Sequence, residues 1–265
     1  MSYARELAIS VSPVQPYSWS LHAEAVLLVP LLALGYALVL RRYPAPGWRI
    51  ACFLGGLGLI LGVFVTPLES LALHYLLTAH LLQNVALAEW SPALVVLGLP
   101  PAAATAARRF APVRTLTQPL VALPLWLSTY YAWHLPAAYD TALRHPSTLL
   151  HLEHLCYFVT GLLVWWPVLT GRLGAGASAA YLFAAFALAS PLGLLLALIP
   201  NAVYDFYEHA PRVWRWSPLT DQQVAGLTMA AEEAVVFFVA FAFYFARFMH
   251  REGSALDLKH ARWTR

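Results

Sequence analysis

The sequence contains few charged residues and few sulfur-bearing ones. Only 11% of its 265 residues are charged, whereas 60% are hydrophobic. Soluble domains carry about 25% charged and roughly 45–50% apolar residues, so the composition excludes a water-soluble domain. The net charge of +3 is too small for a nucleic-acid binder that works by counterion release. Two cysteines cannot form a disulfide framework.

Sequence motifs of hydrolases are also missing. The stretch His151-Leu152-Glu153-His154 differs from the zinc-protease pattern H-E-x-x-H, in which Glu directly follows the first His. No G-x-S-x-G elbow is present. We therefore expect a protein without enzymatic activity. With only three methionines, a Met-rich copper relay is excluded as well.

Long hydrophobic runs dominate the chain. A membrane-spanning helix needs about 20 mostly apolar residues, and seven runs qualify: 21–40, 50–65, 71–100, 119–134, 149–168, 178–199 and 224–245. The fold class predicted is an all-α polytopic membrane protein with seven transmembrane helices. The third run is too long for one straight span, so it must project from the membrane or bend, and Pro92 is the predicted kink. Gly58 and Gly62 form a G-x-x-x-G step that favours close helix packing.

Basic residues orient the predicted spans. Of the 16 Lys and Arg, 12 follow the first, third, fifth and seventh runs, and the other set of loops holds only Arg5, Arg144, Arg212 and Arg215. Because basic residues stay on the cytoplasmic side, this bias predicts an external N-terminus and an internal C-terminus. The chain then divides into a tail at 1–20, a transmembrane domain at 21–246 and a cytoplasmic tail at 247–265.

Eight of the ten histidines lie on the predicted outer side, and only His250 and His260 do not. Titratable groups inside a membrane are rare and usually face the bundle interior. His151 and His154 share a helix face, with Glu153 turned away from it. On the third run, His80, Gln83 and Asn84 form one stripe.

These histidines leave two interpretations open: interfacial hydrogen bonding, or a bound metal or cofactor. Imidazole suits Zn, Cu, Fe and Ni, and inward imidazoles on two helices could instead ligate heme. A third hypothesis concerns Glu89, Glu232 and Glu233, which could line a proton or ion pathway.

Several ordered motifs resemble the CtaG family of polytopic cytochrome c oxidase assembly factors, known from Gram-positive bacteria. His80-Leu81-Leu82-Gln83-Asn84, followed by Pro92 and Gly98-Leu99-Pro100, is similar to its H-x-x-Q-H…P…G-x-P signature. Further matches lie at Trp133-His134-Leu135-Pro136 with Tyr139-Asp140, at Leu152-Glu153-His154 with Gly161 and Trp165-Trp166-Pro167, and at Asp221-Gln222 with Gly226 and Met229. Asn84 departs from the family, which commonly has a second His there.

The resemblance implies a bacterial plasma-membrane protein that helps supply copper to a heme-copper oxidase. Its matching imidazoles are His80, His134 and His154, with Gln83, Asp221 and Met229 as matching polar or soft positions. We therefore predict a copper chaperone with its metal site toward the extracytoplasmic face, whose partners are oxidase subunits and the lipid bilayer. The predicted metal ligands are His80, His134, His151, His154 and Met229, oriented by Gln83, Asn84, Glu153 and Asp221.

Overall fold

The computed structural model describes residues 15–22 and 24–263, with side chains described for 15–22 and 25–251. Within this part of the chain every regular element is a helix, which confirms the all-α prediction. Arg5 and the side chains of Lys259, His260, Arg262 and Arg265, on which the predicted orientation and histidine placement partly rest, lie outside the described residues.

The helices are numbered in chain order, and α1, α4 and α9 each contain one π-helical turn. They are α1 (Ala25–Arg42), α2 (Gly47–Val65), α3 (Pro67–His74), α4 (Leu77–Gly98), α5 (Pro101–Ala107), α6 (Ala111–Leu116), α7 (Pro119–Trp133), α8 (Pro136–Arg144), α9 (Pro146–Leu169), α10 (Ala175–Leu198), α11 (Asp205–His209) and α12 (Pro218–Trp263).

Six of the described helices are long and apolar enough to cross a membrane: α1, α2, α4, α9, α10 and the Pro218–Arg251 part of α12. The remaining predicted span, 119–134, corresponds to α7, which has 15 residues. That length gives about 22 Å of helix, less than the roughly 30 Å of a hydrocarbon core. The multi-span architecture is therefore supported, whereas the count of seven and the orientation stay predictions.

The third hydrophobic run is not one helix bent at Pro92, as the sequence suggested. The helical backbone stops at Tyr75 and Leu76, and α4 begins at Leu77. The break forms here because the carboxylate of Asp221, on α12, accepts the backbone N–H groups of Leu77 and Thr78 at 2.7 and 3.0 Å. A helix start needs such acceptors. Pro92 lies inside α4, directly after the π-helical turn Ala86–Trp90.

Glycines set the closest helix contacts, at positions other than the predicted G-x-x-x-G step. A Cβ added at Gly58 or Gly62 would meet no described atom within 4 Å, so the expected packing role of that step is wrong. A Cβ on Gly161 of α9 would overlap the carbonyl of Ala88 and lie 2.6 Å from Cγ of Pro92 on α4. The α4–α9 contact therefore depends on the missing side chain of Gly161.

Arg49 and Arg172 lie at one end of the helix bundle, here called the arginine end, and His80 and His134 lie toward the other, the histidine end, which also holds Arg144. At the arginine end, Arg49 donates to the carbonyls of Leu97 and Leu99, and Arg172 donates to the carbonyl of Arg114. At the histidine end, the carboxylate of Asp140 accepts the N–H groups that begin α11.

Candidate functional site

His80 is fully buried on α4, near the histidine end. Its Nδ1 lies 2.9 Å from the hydroxyl of Tyr207, and that hydroxyl donates to the carbonyl of Ala72 at 2.5 Å. A carbonyl only accepts, so the Tyr207 hydrogen is already used and Nδ1 of His80 must be the donor. The Nε2 atom of His80 therefore carries a lone pair, as a metal-binding imidazole does.

His134, at the end of α7, has the same tautomer for a different reason. Its Nδ1 lies 2.7 Å from the backbone carbonyl of Tyr130, which can only accept a hydrogen bond. The hydroxyl of Tyr157 lies 3.2 Å from the same nitrogen. The Nε2 atoms of His80 and His134 are both buried, and neither has a hydrogen-bond partner among the described residues. Two buried nitrogen lone pairs are thus held in fixed orientations.

His154 and Glu153, on α9, border the same interior. The rings of His154 and His80 have centroids 6.3 Å apart. Glu153 is fully buried, accepts a hydrogen bond from Asn84 at 3.0 Å and lies 3.9 Å from Nε2 of His80. The expectation that Glu153 turns away from His154 is wrong, because positions 153 and 154 lie on either side of the inward face of α9.

Tyrosine rings lie between the imidazoles, and no tyrosine is among the site residues predicted from the sequence. The ring of Tyr139 lies 5.0 Å from His80, 5.9 Å from His134 and 4.3 Å from Tyr204. Its buried hydroxyl bonds to no group in the part of the chain that the structure describes. The sequence signal for these tyrosines was the Tyr139-Asp140 pair beside the Trp-His-Leu-Pro motif. Asp140 lies on α8, and its carboxylate accepts the first N–H groups of α11, which positions Tyr207.

Gln83 faces away from this interior. Its side chain donates to the carbonyl of Val63 and to the carboxylate of Glu69. The single stripe predicted for His80, Gln83 and Asn84 is therefore split: His80 and Asn84 face Glu153, and Gln83 faces α2 and α3. The two groups diverge because residues three apart differ by about 60° around a helix.

His151 lies one turn before His154, in a different environment from His80. It lines a cavity of about 240 Å³ together with His22 and Glu69, and a smaller one together with His154. Glu69, which the sequence analysis did not select, is buried and lies 3.4 Å from Nδ1 of His22.

Met229 and Asp221 lie at different depths on α12. Asp221 is buried at the start of α4, where its carboxylate also accepts the hydroxyl hydrogen of Thr78 at 2.7 Å. Met229 is buried eight residues further along, which is about 12 Å at about 1.5 Å per residue. His80 lies only about 4.5 Å along α4 from Leu77. Met229 is therefore more than one helical turn deeper in the bundle than His80.

The predicted ligands do not form a ready-made coordination shell. Among the described residues, no group of three or more His, Cys, Asp or Glu is close enough to hold a metal ion. The tautomers of His80 and His134 fit metal ligation, whereas a site with three protein ligands requires side-chain movement.

Three carboxyl groups meet deeper in the bundle. Glu89, Glu232 and Glu233 are mutual neighbours, and Glu89 and Glu233 are fully buried. The indole of Trp90 donates to Glu232, and the hydroxyl of Tyr130 donates to Glu233. The carbonyl of the same Tyr130 accepts a hydrogen bond from His134. Tyr130 therefore contacts both the carboxyl cluster and the buried histidines.

An open cavity of about 510 Å³ lies at the histidine end, lined by His74, Tyr75, Arg144, Asp205, Phe206, His209, Ala210 and Pro211. Burial lowers the pKa of His74, and the nearby His22 lowers it further. Tyr75 and Phe206 adjoin the elements that hold Tyr207, so the cavity is next to the residue that orients His80.

Comparison with known proteins identifies the family. A model of the cytochrome c oxidase caa3 assembly factors matches residues 31–251. No curated protein and no solved structure matches the chain. The matched stretch contains the buried histidines, the tyrosines around them and the carboxyl cluster. The motifs predicted this membership, and the chain belongs to the caa3-type cytochrome c oxidase assembly factor family, Caa3_CtaG.

Proposed function

We propose that this protein binds copper at His80 and His134, with His154 joining on side-chain movement, and passes it to a cytochrome c oxidase subunit. The family membership supplies the role in oxidase assembly. One observation supports a bound metal ion: two buried imidazoles present Nε2 lone pairs without a partner among the described residues, while their Nδ1 hydrogens are engaged. Metal-ligating histidines are commonly held in this way.

The surroundings support binding and release rather than catalysis. The open cavity at the histidine end would supply access for the ion, and Phe206 in its wall precedes Tyr207, whose hydroxyl contacts His80. A coordination shell that is incomplete before the ion arrives suits a carrier, because the cargo must also leave. We propose that the cavity faces the extracytoplasmic side of the bacterial plasma membrane, where an oxidase subunit would accept the ion.

The test is copper retention by the purified, detergent-solubilised protein. The chain is stripped with a chelator, loaded with Cu(I) under anaerobic reducing conditions, desalted and analysed for metal content and X-ray absorption. We expect bound copper with imidazole nitrogen ligands, and its loss in the His80→Ala, His134→Ala double variant. Parent protein without copper, or a double variant that retains as much, overturns the proposal.

His145→Ala is the matched control. His145 and His134 both place Nδ1 against the carbonyl four residues earlier, but His145 is exposed. This control should retain parental copper. The absorption spectrum of the same sample tests the alternative cofactor, since a Soret band would assign the imidazoles to heme.

A second candidate function is a proton or cation pathway. The convergence of Glu89, Glu232 and Glu233 beside Tyr130 favours it, because such groups inside a membrane often mark ion routes. Reconstituted liposomes with an internal pH dye test it. Flux that falls in a Glu232→Gln, Glu233→Gln variant and persists in the exposed control Glu208→Gln would support the pathway, and flux insensitive to both would exclude it.

A further inference from the structure

A second cavity, of about 360 Å³, lies at the arginine end of the bundle. It forms where α9 ends, α10 begins and α12 passes both. Its walls include Leu169, Gly171, Gly174, Tyr244, Arg247 and Arg251. This cavity is separate from the histidines, and neither the oxidase-assembly role nor the copper proposal uses it.

Two arginines give the cavity positive charge. Arg247 and Arg251 are four residues apart and therefore share one face of α12. Among the residues whose side chains are described, neither arginine has an ion pair, and no carboxylate lines the cavity. Arg172, in the adjoining loop, differs from them because it donates to the carbonyl of Arg114 and the hydroxyl of Thr117. Two guanidinium groups are thus available to an anion.

The start of α10 adds backbone N–H groups, whose partial positive charge also attracts an anion. The 24-residue helix α10 begins at Ala175, and its preceding residue, Gly174, has no side chain to accept the first N–H groups. Such a helix start attracts anions. Gly171 adopts φ +71° in the turn before it, a conformation that glycine permits without strain.

The position of the cavity indicates which kind of anion would bind there. Two spanning segments end or begin here, α9 at Leu169 and α10 at Ala175, and α12 carries Arg247 and Arg251 beside them. The cavity therefore lies where the hydrocarbon meets the headgroups, and its walls include apolar side chains such as Val168 and Leu173. A phosphate attached to acyl chains fits both parts, whereas a free phosphate uses only the arginines.

We propose that this cavity binds the phosphate of an anionic phospholipid from the adjoining leaflet. The two arginines and the start of α10 would contact the phosphate, and the acyl chains would stay in the bilayer. The lipid would join the end of α9 to α12, which Tyr244 already connects through its hydrogen bond to the carbonyl of Val168 at 3.2 Å. The bound lipid would thus stabilise the junction of three spans.

The experiment is native mass spectrometry of the protein in neutral detergent, titrated with phosphatidylglycerol or phosphatidylcholine. We expect retention of phosphatidylglycerol in preference to phosphatidylcholine. The Arg247→Gln, Arg251→Gln variant should bind it about 30-fold more weakly, the sum expected for two arginines near an anionic lipid surface. The matched control is Arg41→Gln, Arg42→Gln, which removes two exposed charges at the same end and should bind like the parent.

Three results would overturn the proposal. The first is equal retention of the two lipids, and the second is equal weakening by the control variant. The third is a rise in melting temperature with inorganic phosphate alone that matches the rise with phosphatidylglycerol, which would make the cavity a site for a soluble anion. Neither assay uses copper, so failure here leaves the proposed function intact, and failure of copper binding leaves this proposal intact.

Discussion

The imidazole of His80 on α4 donates to the hydroxyl of Tyr207 on α11, across 127 residues of sequence. The hydroxyl of Tyr207 in turn donates a hydrogen bond to the carbonyl of Ala72, close to the end of α3. This relay joins three elements and fixes which nitrogen of His80 carries the lone pair. Tyr207 is therefore a positioning residue for the proposed copper ligand, and it need not contact the ion itself.

Removing the Tyr207 hydroxyl should weaken copper binding without unfolding the protein. We expect Tyr207→Phe to bind Cu(I) about 10- to 100-fold more weakly, the range found for partners of metal-bound histidines. A competition titration measures the affinity, and ¹⁵N NMR of the histidines reports the tautomer of His80 independently of metal. Tyr181→Phe is the control, since Tyr181 is buried with a hydroxyl that bonds no described group. Unchanged affinity in Tyr207→Phe would contradict the positioning role.

Asp221 should stabilise the start of α4. Asp221→Ala leaves the buried N–H of Leu77 without its acceptor, which costs about 1–3 kcal/mol. We expect a lower melting temperature and faster hydrogen exchange at Leu77 and Thr78. Asp205→Asn disrupts an exposed ion pair with Arg144, worth about 0–1 kcal/mol, and should change the melting temperature little. Equal effects of the two substitutions would show that the Asp221 cap is not significant.

The glycine contacts predict opposite outcomes for two Gly→Ala substitutions. Gly161→Ala places a methyl group against the carbonyl of Ala88 and the ring of Pro92. It must separate α9 from α4 and should cost about 1–3 kcal/mol, as overpacking does. Gly58→Ala meets no described atom within 4 Å and gains up to about 1 kcal/mol of helix propensity. Thermal unfolding in detergent measures both, and destabilisation by Gly58→Ala would point to a contact outside the described chain.

His74 should make folding sensitive to mildly acidic pH. Burial and His22 lower the pKa of His74 below its ordinary value of 6.5, so the folded state favours the neutral ring. As pH falls through 6.5, the unfolded chain takes up the proton first. The stability that neutral His74 contributes is therefore present above pH 6.5 and is lost progressively below it.

Histidine NMR titration tests this assignment. The pKa of His74 should rise in His22→Gln, because the second cause of its depression is removed. His145→Gln should leave it unchanged, since His145 is not among the groups that shift it. A His74 pKa at or above 6.5 in the parent would show that burial does not act as described.

Sequence pattern predicted much of the architecture. Runs of about 20 apolar residues identify spanning helices because their backbone groups bond internally and need no distant partner. The loops that carry the arginines could likewise be identified from the sequence, because the composition of a loop does not depend on distant contacts. Run 119–134 shows the limit of such counting, since its helix is shorter than a typical span. The family motifs located His80, His134 and His154 for the same reason, as they are short and local.

The arrangement of the site depended on contacts that sequence spacing does not contain. The break at Tyr75 requires a carboxylate from α12, and the orientation of Glu153 requires Asn84 on α4. Tyr139, Tyr204 and Tyr207 come from separate segments of the sequence, and only the fold brings them together around His80.

The sequence by itself determined that this is a helical membrane protein of the oxidase assembly family. Helix formation and membrane insertion depend on local composition, which a single chain displays directly. Only the tertiary structure decided which nitrogen of each buried histidine carries a lone pair, because that depends on a hydrogen-bond partner chosen by packing. It also showed that the predicted ligands form no cluster of three among the described residues, because the distances between side chains on different helices are set by tertiary packing.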